Sequence, residues 1–423
     1  MARILVASMP FAGHVGPMSA ITTELIRRGH EVVAYTGAKY RDRFLSAGAT
    51  WLPWIKATDF DDADLAATFP AIGDGKGMRG TKANGDHIVF GTAAGQISDI
   101  MAGAPYDLLV TDQVALGGAV AGQGLGIPWA TVAVTPLSLT SRHLPPVGMP
   151  WTPATGRAGQ ARDAVFRGLT GALYRRMTDP RLNSLRAGVG LGPVRPGRLF
   201  DGLYSTDLVI AQGVPGLEYL RPDLPDYVHF VGRLTPPARP GATADLPPWW
   251  PDLAAARKVV HVTQGTLDVD PADLIRPALD GLADQDVLVV CTTGGADPEA
   301  LGPLPANARA AAFLPHDLLL PAVDVMVTNG GWGGVLAAVQ AGVPLVVAGA
   351  SLDKPEVARR VAWSGAGVDL RTGTPRPASV ARAVDRVLTD EAFRARAGEL
   401  GAALTAAGGA GAAGELIEQL LTR

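Results

Sequence analysis

"VTNGGWGGVLAAVQAGVPLVV", residues 327–347, begins as the end of a buried β-strand, breaks on four glycines around one tryptophan, and resumes as an Ala-rich helical pattern. A glycine in regular structure costs roughly 0.5–1 kcal/mol relative to alanine. Four in so short a span belong where backbone must come close to something or take conformations closed to other residues. A helix from about Val335 to Ala341 would open at these glycines. Its first N–H groups would be unpaired and its positive dipole end would face the bend, which together make an anion site. Gly-rich strand-to-helix turns also occur in α/β domains that bind nothing there, so the rest of the chain has to decide.

Outward from this bend, short apolar runs alternate with amphipathic segments, the pattern of parallel βαβ units. In the first half the runs are "RILVAS" (3–8), "EVVAYT" (31–36), "DLLVTD" (107–112), "WATVAV" (129–134), "DLVIAQ" (207–212) and "YVHFVG" (227–232). In the helix between the first two, Met18, Ile21, Leu25 and Ile26 share one face, with Pro17 expected at its start and Gly29 at its exit. Repeated proline in "RLTPPARPGATADLPPWWPDL" (233–253) stops regular structure, and the alternation then restarts with "KVVHVTQG" (258–265), "DVLVVCTTGG" (286–295), "ARAAAFLP" (308–315), "VDVMVTNGG" (323–331), "VPLVVAG" (343–349) and "AGVDL" (366–370). The expected architecture is α/β: a Rossmann-like domain over 1–232, a linker over 233–257 and a second Rossmann-like domain over 258–423. The last helix is a candidate to pack back on the first domain. Residues 56–92 and 136–200, rich in Gly, Pro and Arg, read as insertions that shape a binding site.

A chain of 423 residues suits two domains, and 47% apolar with 18% charged residues describes a globular protein. The net charge of −3 and the lack of a Lys/Arg block with interleaved aromatics give no reason to expect a nucleic-acid partner. No window reaches 18 uninterrupted apolar residues and the N-terminus lacks a signal-peptide pattern, so a cytoplasmic protein without stable membrane insertion is expected. The lone Cys291 lies in a strand-like run and can form neither an internal disulfide nor a cysteine metal cluster.

The first turn reads "MPFAGHVGPM" and the second domain opens "TQGTLDVDP", so the dinucleotide fingerprint fails in both, and a phosphate-binding G-x-x-x-x-G-K-[ST] loop is absent. What the first turn does hold is His14, between Gly13 and Gly16, read as a loop histidine at the carboxyl end of a strand, where open α/β folds meet their ligands. Asp268 and Asp270 form a D-x-D, but Asp270 before Pro271 reads better as a helix N-cap than as a metal ligand.

Taken together, "GHVGPM", "YDLLVTD…GLGIPW", "FLPHDLLLP" and "TNGGWGGVLAAVQAGVPLVVAGASLDKPEVARRV", in this order along nearly the whole chain, resemble family 1 of the nucleotide-sugar-dependent glycosyltransferases. The likeness is strongest to the bacterial enzymes that glycosylate natural products. It implies the GT-B fold, with two facing Rossmann-like domains, and an inverting, metal-independent transfer from a UDP- or dTDP-sugar to a small, partly apolar aglycone. No cofactor is implied beyond the nucleotide sugar as co-substrate, and a homodimer is left open. By this resemblance His14 is the catalytic base and Asp112 its partner. Thr266, Phe313, Leu314, Asn329, Gly331, Trp332, Gly333, Gly334, Asp353 and Lys354 form the donor site, with Thr266 on phosphate and Phe313 in the place of a tryptophan stacked on the base. The residue types agree. An acceptor hydroxyl must lose its proton as it attacks, an imidazole titrating near neutrality can take it, and a carboxylate on the other ring nitrogen would fix the tautomer. Phe313 also reads as plain core and Lys354 as a surface ion pair.

Three positions depart from the family. Asn329 replaces the histidine that starts the donor signature, and Ala337 replaces a glutamate that binds ribose hydroxyls. Lys354 replaces the glutamine of an Asp-Gln pair that reads the sugar. The loss at Ala337 points to a thymidine diphosphate sugar, which lacks the 2′-hydroxyl. Two other readings keep the fold without the transfer: a non-catalytic nucleotide-sugar-binding auxiliary protein, and a nucleotide-sugar epimerase.

Overall fold

The computed structural model describes residues 1–73, 75, 77–235, 246–266 and 270–422. They form two compact units, the first from Met1–Pro215, Tyr219–Pro237 and Ala407–Arg423, the second from Gly216–Glu218 and Ala238–Ala406. Of the proline-rich segment, 236–245 lie outside the described residues. So does Asp268 of the D-x-D, while Asp270 accepts the amide of Ala272 in a turn and the following helix starts at Ile275. Asp270 therefore caps a turn and not that helix.

The first unit is built on strands β1 (Arg3–Ala7), β2 (Glu31–Tyr35), β3 (Thr50–Leu52), β4 (Leu108–Asp112), β5 (Trp129–Ala133), β6 (Leu208–Ala211) and β7 (Val228–Phe230). All pair in parallel in the order β3-β2-β1-β4-β5-β6-β7. Because side chains alternate along a strand, Ile4 and Val6 enter one core with Met18, Ile21 and Leu25, while Leu5 and Ala7 enter another with Tyr35, Trp54 and Phe60. Each such buried aliphatic contributes about 1.5–3 kcal/mol. The last helix, Gly409–Leu421, joins the first of these cores through Ala413, Ile417 and Leu420, and Arg28 donates to Glu418 at 2.6 Å.

The second unit carries β8 (Val259–Thr263), β9 (Leu288–Thr292), β10 (Ala308–Ala311), β11 (Val325–Thr328), β12 (Leu345–Val347) and β13 (Gly367–Asp369). They too are parallel, in the order β10-β9-β8-β11-β12-β13. Cys291 on β9 is free and buried, and desolvation pushes its thiol up to about 11.

The stretch Glu391–Leu421 is long and apolar enough to cross a membrane by length and composition. Gly408, at φ +86°, divides it into Glu391–Ala406 and Gly409–Leu421, and each part buries apolar residues within its own unit.

One expectation is corrected. The first helix spans Ala12–Arg27, so Pro17 lies inside it and His14 in its first turn, not in a loop. The reason is a long-range cap: buried Asp62, held by Lys39 and Tyr40, accepts the Ala12 amide at 2.8 Å, which local sequence cannot show. Residues 136–200, read as an insertion, carry helices Arg157–Met177 and Asp179–Ala187.

Candidate active site

In an open α/β sheet, ligands meet the crevice beyond the carboxyl ends of the strands where strand order reverses. In the first unit that point lies between β1 and β4. His14 follows β1 and Asp112 ends β4, so the sheet itself brings them together. The His14 Nδ1 lies 3.3 Å from Asp112 Oδ2. The distance is that of an ion pair, but the imidazole is not aligned for a hydrogen bond, and Nδ1 has no hydrogen-bond partner among the described residues. Asp112 is the better fixed of the two. Its Oδ2 accepts the Met9 amide at 2.6 Å, and Oδ1 accepts Val114 and Ala115 at 2.7 and 3.1 Å. These backbone donors hold the carboxylate in a buried place, while the His14 ring packs 5.3 Å from Phe11. Sequence reasoning found the pair but not the clamp, because backbone donors leave no trace in residue type.

In the second unit the reversal lies between β8 and β11, and there the loop after β8, with Thr266, adjoins the glycine turn after β11. The helix starts at Trp332, three residues earlier than the sequence pattern indicates, so Gly333 and Gly334 form its first turn. The Val335 amide closes on the Gly331 carbonyl, and the amides of Trp332, Gly333 and Gly334 have no acceptor among the described residues. Three N–H groups at the positive end of a helix are what an anion needs. Gly330 sits at φ +91° and a Cβ there would meet Val347 Cγ1 at 2.9 Å, so the bend itself requires glycine. Thr266 is exposed beside Gly265, and Phe313 is 67% exposed, which overturns the reading of that ring as core. Leu314, next in the chain, is buried. Asp353 is the N-cap residue of the helix Lys354–Ser364. Lys354 is buried with Nζ 3.1 Å from Ser351 Oγ, so it is not a surface residue.

Comparisons with known proteins decide what this pair of sites belongs to. A family described as erythromycin biosynthesis protein CIII-like, C-terminal domain, matches residues 276–418. Over 402 residues the chain is 42% identical to a 4′-demethylrebeccamycin synthase of Lentzea aerocolonigenes, covering 94% of each chain. The chain belongs to the family 1 glycosyltransferases. A UDP-glucosyltransferase of Beauveria bassiana (strain ARSEF 2860) is 30% identical over 423 residues, covering 94% of this chain and 91% of the other. The crystal structure of CalG4, the calicheamicin glycosyltransferase, matches at a TM-score of 0.73 and 25% identity, over 100% of this chain and 99% of that one. The fold is GT-B, and the protein is a glycosyltransferase that uses nucleotide-sugar donors.

Against that family, Asn329 takes on a different meaning. Its Nδ2 donates to the Gln264 carbonyl and its Oδ1 accepts the Gly331 amide at 3.3 Å, so the side chain ties the loop after β8 to the glycine turn. The family histidine would offer a charge to phosphate, whereas this amide spends its groups on the protein. Asn329→Ala removes this tie to the buried Gln264 carbonyl and the part-buried Gly331 amide, and a buried group left unsatisfied costs about 1–3 kcal/mol. The expected result is a lower thermal midpoint without any ligand, together with weaker nucleotide binding. A normal midpoint with weakened binding would instead assign Asn329 directly to the ligand.

Sequence reasoning also passed over a histidine pair beside this turn. His261, fully buried on β8, stacks edge-on against His316 at 5.7 Å, and His316 Cε1 lies 4.0 Å from where a Cβ on Gly334 would stand. Burial, with His316 as the second cause, pushes the His261 imidazole down to about 3, so it is a neutral packing group. The strand pattern around His261 hid it, since a histidine within a buried run gives no sign of its neighbour.

Proposed function

We propose that this glycosyltransferase is inverting and metal-independent, and moves a sugar from a dTDP- or UDP-sugar to a hydroxyl of a small, partly apolar natural-product acceptor, in the cytoplasm and without a further cofactor. The observation that carries the reading is that His14–Asp112 and the unpaired amides of the glycine turn each stand at the reversal point of their own sheet. The 42% identity to a named antibiotic synthase supports the acceptor class. In this mechanism His14 takes the acceptor proton as the new bond to the anomeric carbon forms and the bond to the diphosphate oxygen breaks. Asp112 stabilises the imidazolium. Charge that develops on the departing diphosphate falls to the amides of Trp332, Gly333 and Gly334 and to the helix dipole, which stands in for a metal. Single displacement with no covalent intermediate inverts the anomeric centre.

Ala337, buried in the glycine helix, cannot accept a hydrogen bond from a 2′-hydroxyl. Calorimetric titration should therefore show dTDP binding at least as tightly as UDP. Ala337→Glu should move the balance toward UDP by roughly 2–10-fold, the worth of one net hydrogen bond. Clearly tighter UDP in the unaltered protein would sink the dTDP reading. For the reaction itself, dTDP- and UDP-sugars are combined with polyketide, flavonoid and macrolide aglycones, and with the aglycone of 4′-demethylrebeccamycin. Mass spectrometry then reports a hexosyl or deoxyhexosyl adduct, and NMR its anomeric configuration. A retained configuration would overturn the mechanism.

A further inference from the structure

The helix Arg157–Met177 is turned inside out relative to an ordinary surface helix. It buries only Asp163, while Val165 and Leu169 are each 60% exposed and Leu173 52%. Residues 165, 169, 173 and 177 fall four apart on one face, with Phe166 beside them. Trp151 packs edge-on to Phe166 at 5.0 Å and lies beneath the Arg162 guanidinium at 4.8 Å, extending the apolar row at its border. The opposite side holds the helix to its unit: Arg167 donates to the Leu144 carbonyl at 2.6 Å, and Tyr174 meets the Phe200 ring at 5.4 Å. The outward row is therefore not a loose end.

Charge is as uneven as hydropathy. Residues 157–198 hold nine arginines and two aspartates, in a chain whose net charge is −3. Both aspartates are buried, and Asp163 is paired with Arg162. Arg157, Arg175 and Arg176 are exposed and make no hydrogen bond or ion pair with the described residues. On the helical wheel Arg162 and Arg176 lie on the apolar side, while Arg157 and Arg175 share a flank about 80° beyond its Val165 edge. A second copy of this chain is a poor occupant, since a twofold contact would set these arginines against one another. A nucleic acid would leave the apolar row without a partner.

We infer that this helix docks on the surface of an anionic lipid bilayer. It lies in the interface plane, with Val165, Leu169, Leu173 and Phe166 at the level of the acyl chains and the arginines among anionic headgroups. Such binding is reversible and peripheral, and it places the enzyme in the layer where apolar small molecules concentrate. The inference stands independently of the transfer chemistry proposed above.

The test is flotation of the full chain with phosphatidylcholine vesicles and with vesicles containing one quarter phosphatidylglycerol, each at low and high salt. The protein floats with the anionic vesicles at low salt, and pure phosphatidylcholine or high salt releases it. Arg175→Glu with Arg176→Glu lowers partitioning at least ~10-fold, given the attraction of each arginine to an anionic surface. Leu169→Asp with Leu173→Asp does the same, while dTDP binding and the thermal midpoint of both variants stay unchanged. The inference is overturned if the protein ignores anionic vesicles at low salt, or if both variants float as well as the parent. It is overturned equally if light scattering shows a dimer that Leu169→Asp with Leu173→Asp converts to monomer, since the face would then join two copies.

Discussion

His14→Ala lowers kcat by about 10²–10⁴-fold, the range for removing a general base, while the Kd for UDP or dTDP stays where it was. The separation follows from the architecture, because His14 belongs to the first unit and the glycine turn to the second. Stability is spared as well. The side chain makes an unaligned 3.3 Å contact with Asp112, whose carboxylate remains held by the amides of Met9, Val114 and Ala115. Asp112→Asn behaves differently. A carboxamide has one acceptor oxygen, so its NH₂ must face a backbone donor on one side, and a lower thermal midpoint accompanies the loss of turnover. Stopped-flow turnover, calorimetric nucleotide binding and thermal melting on the two variants form one experiment. Retained turnover in His14→Ala removes this residue from the chemistry, and a fallen midpoint would make it structural.

The parallel sheets were legible because each strand is a short apolar run closed by a polar or glycine turn, and that pattern survives whatever packs around it. The glycine turn was legible for a related reason: four glycines beside one tryptophan mark a bend that the backbone needs. What escaped the sequence was set over long range. Asp62 starts the first helix at Ala12 from fifty residues away, so Pro17 misled as a start signal. Met9 and Asp112 are brought together only by the pairing of β1 with β4. Asn329 looked like a weakened phosphate ligand because its partner, the carbonyl of Gln264, is backbone and therefore invisible in residue type. The helix Arg157–Met177 was hidden for the opposite reason. Its apolar residues do have helical spacing, but with Gly159, Gly168 and Gly171 along it and arginine throughout, it resembled no buried helix.

Gly333→Ala separates a glycine kept for the ligand from one kept for the fold. A Cβ on Gly333 would meet nothing within 4 Å, and the residue already lies in the first turn of a helix. Alanine there should leave the unliganded protein as stable as before, or more stable by roughly 0.5–1 kcal/mol. Yet the empty space beside Gly333 is where the proposed diphosphate comes within hydrogen-bond distance of the amides, about 2.7–2.9 Å for a charged oxygen. A methyl group in that space displaces the anion from at least one N–H, and a hydrogen bond to a charged group is worth about 1.5–3 kcal/mol. The expected result is a 10-fold or larger rise in the Kd for UDP and dTDP with an unchanged or higher thermal midpoint. Gly330→Ala, three residues earlier, should reverse the signature. Its φ of +91° and the approach to Val347 make alanine costly in the folded chain itself, so its midpoint falls before any nucleotide is added. If Gly333→Ala binds both nucleotides normally, the turn does not hold the diphosphate, and the unpaired amides of this helix need another explanation.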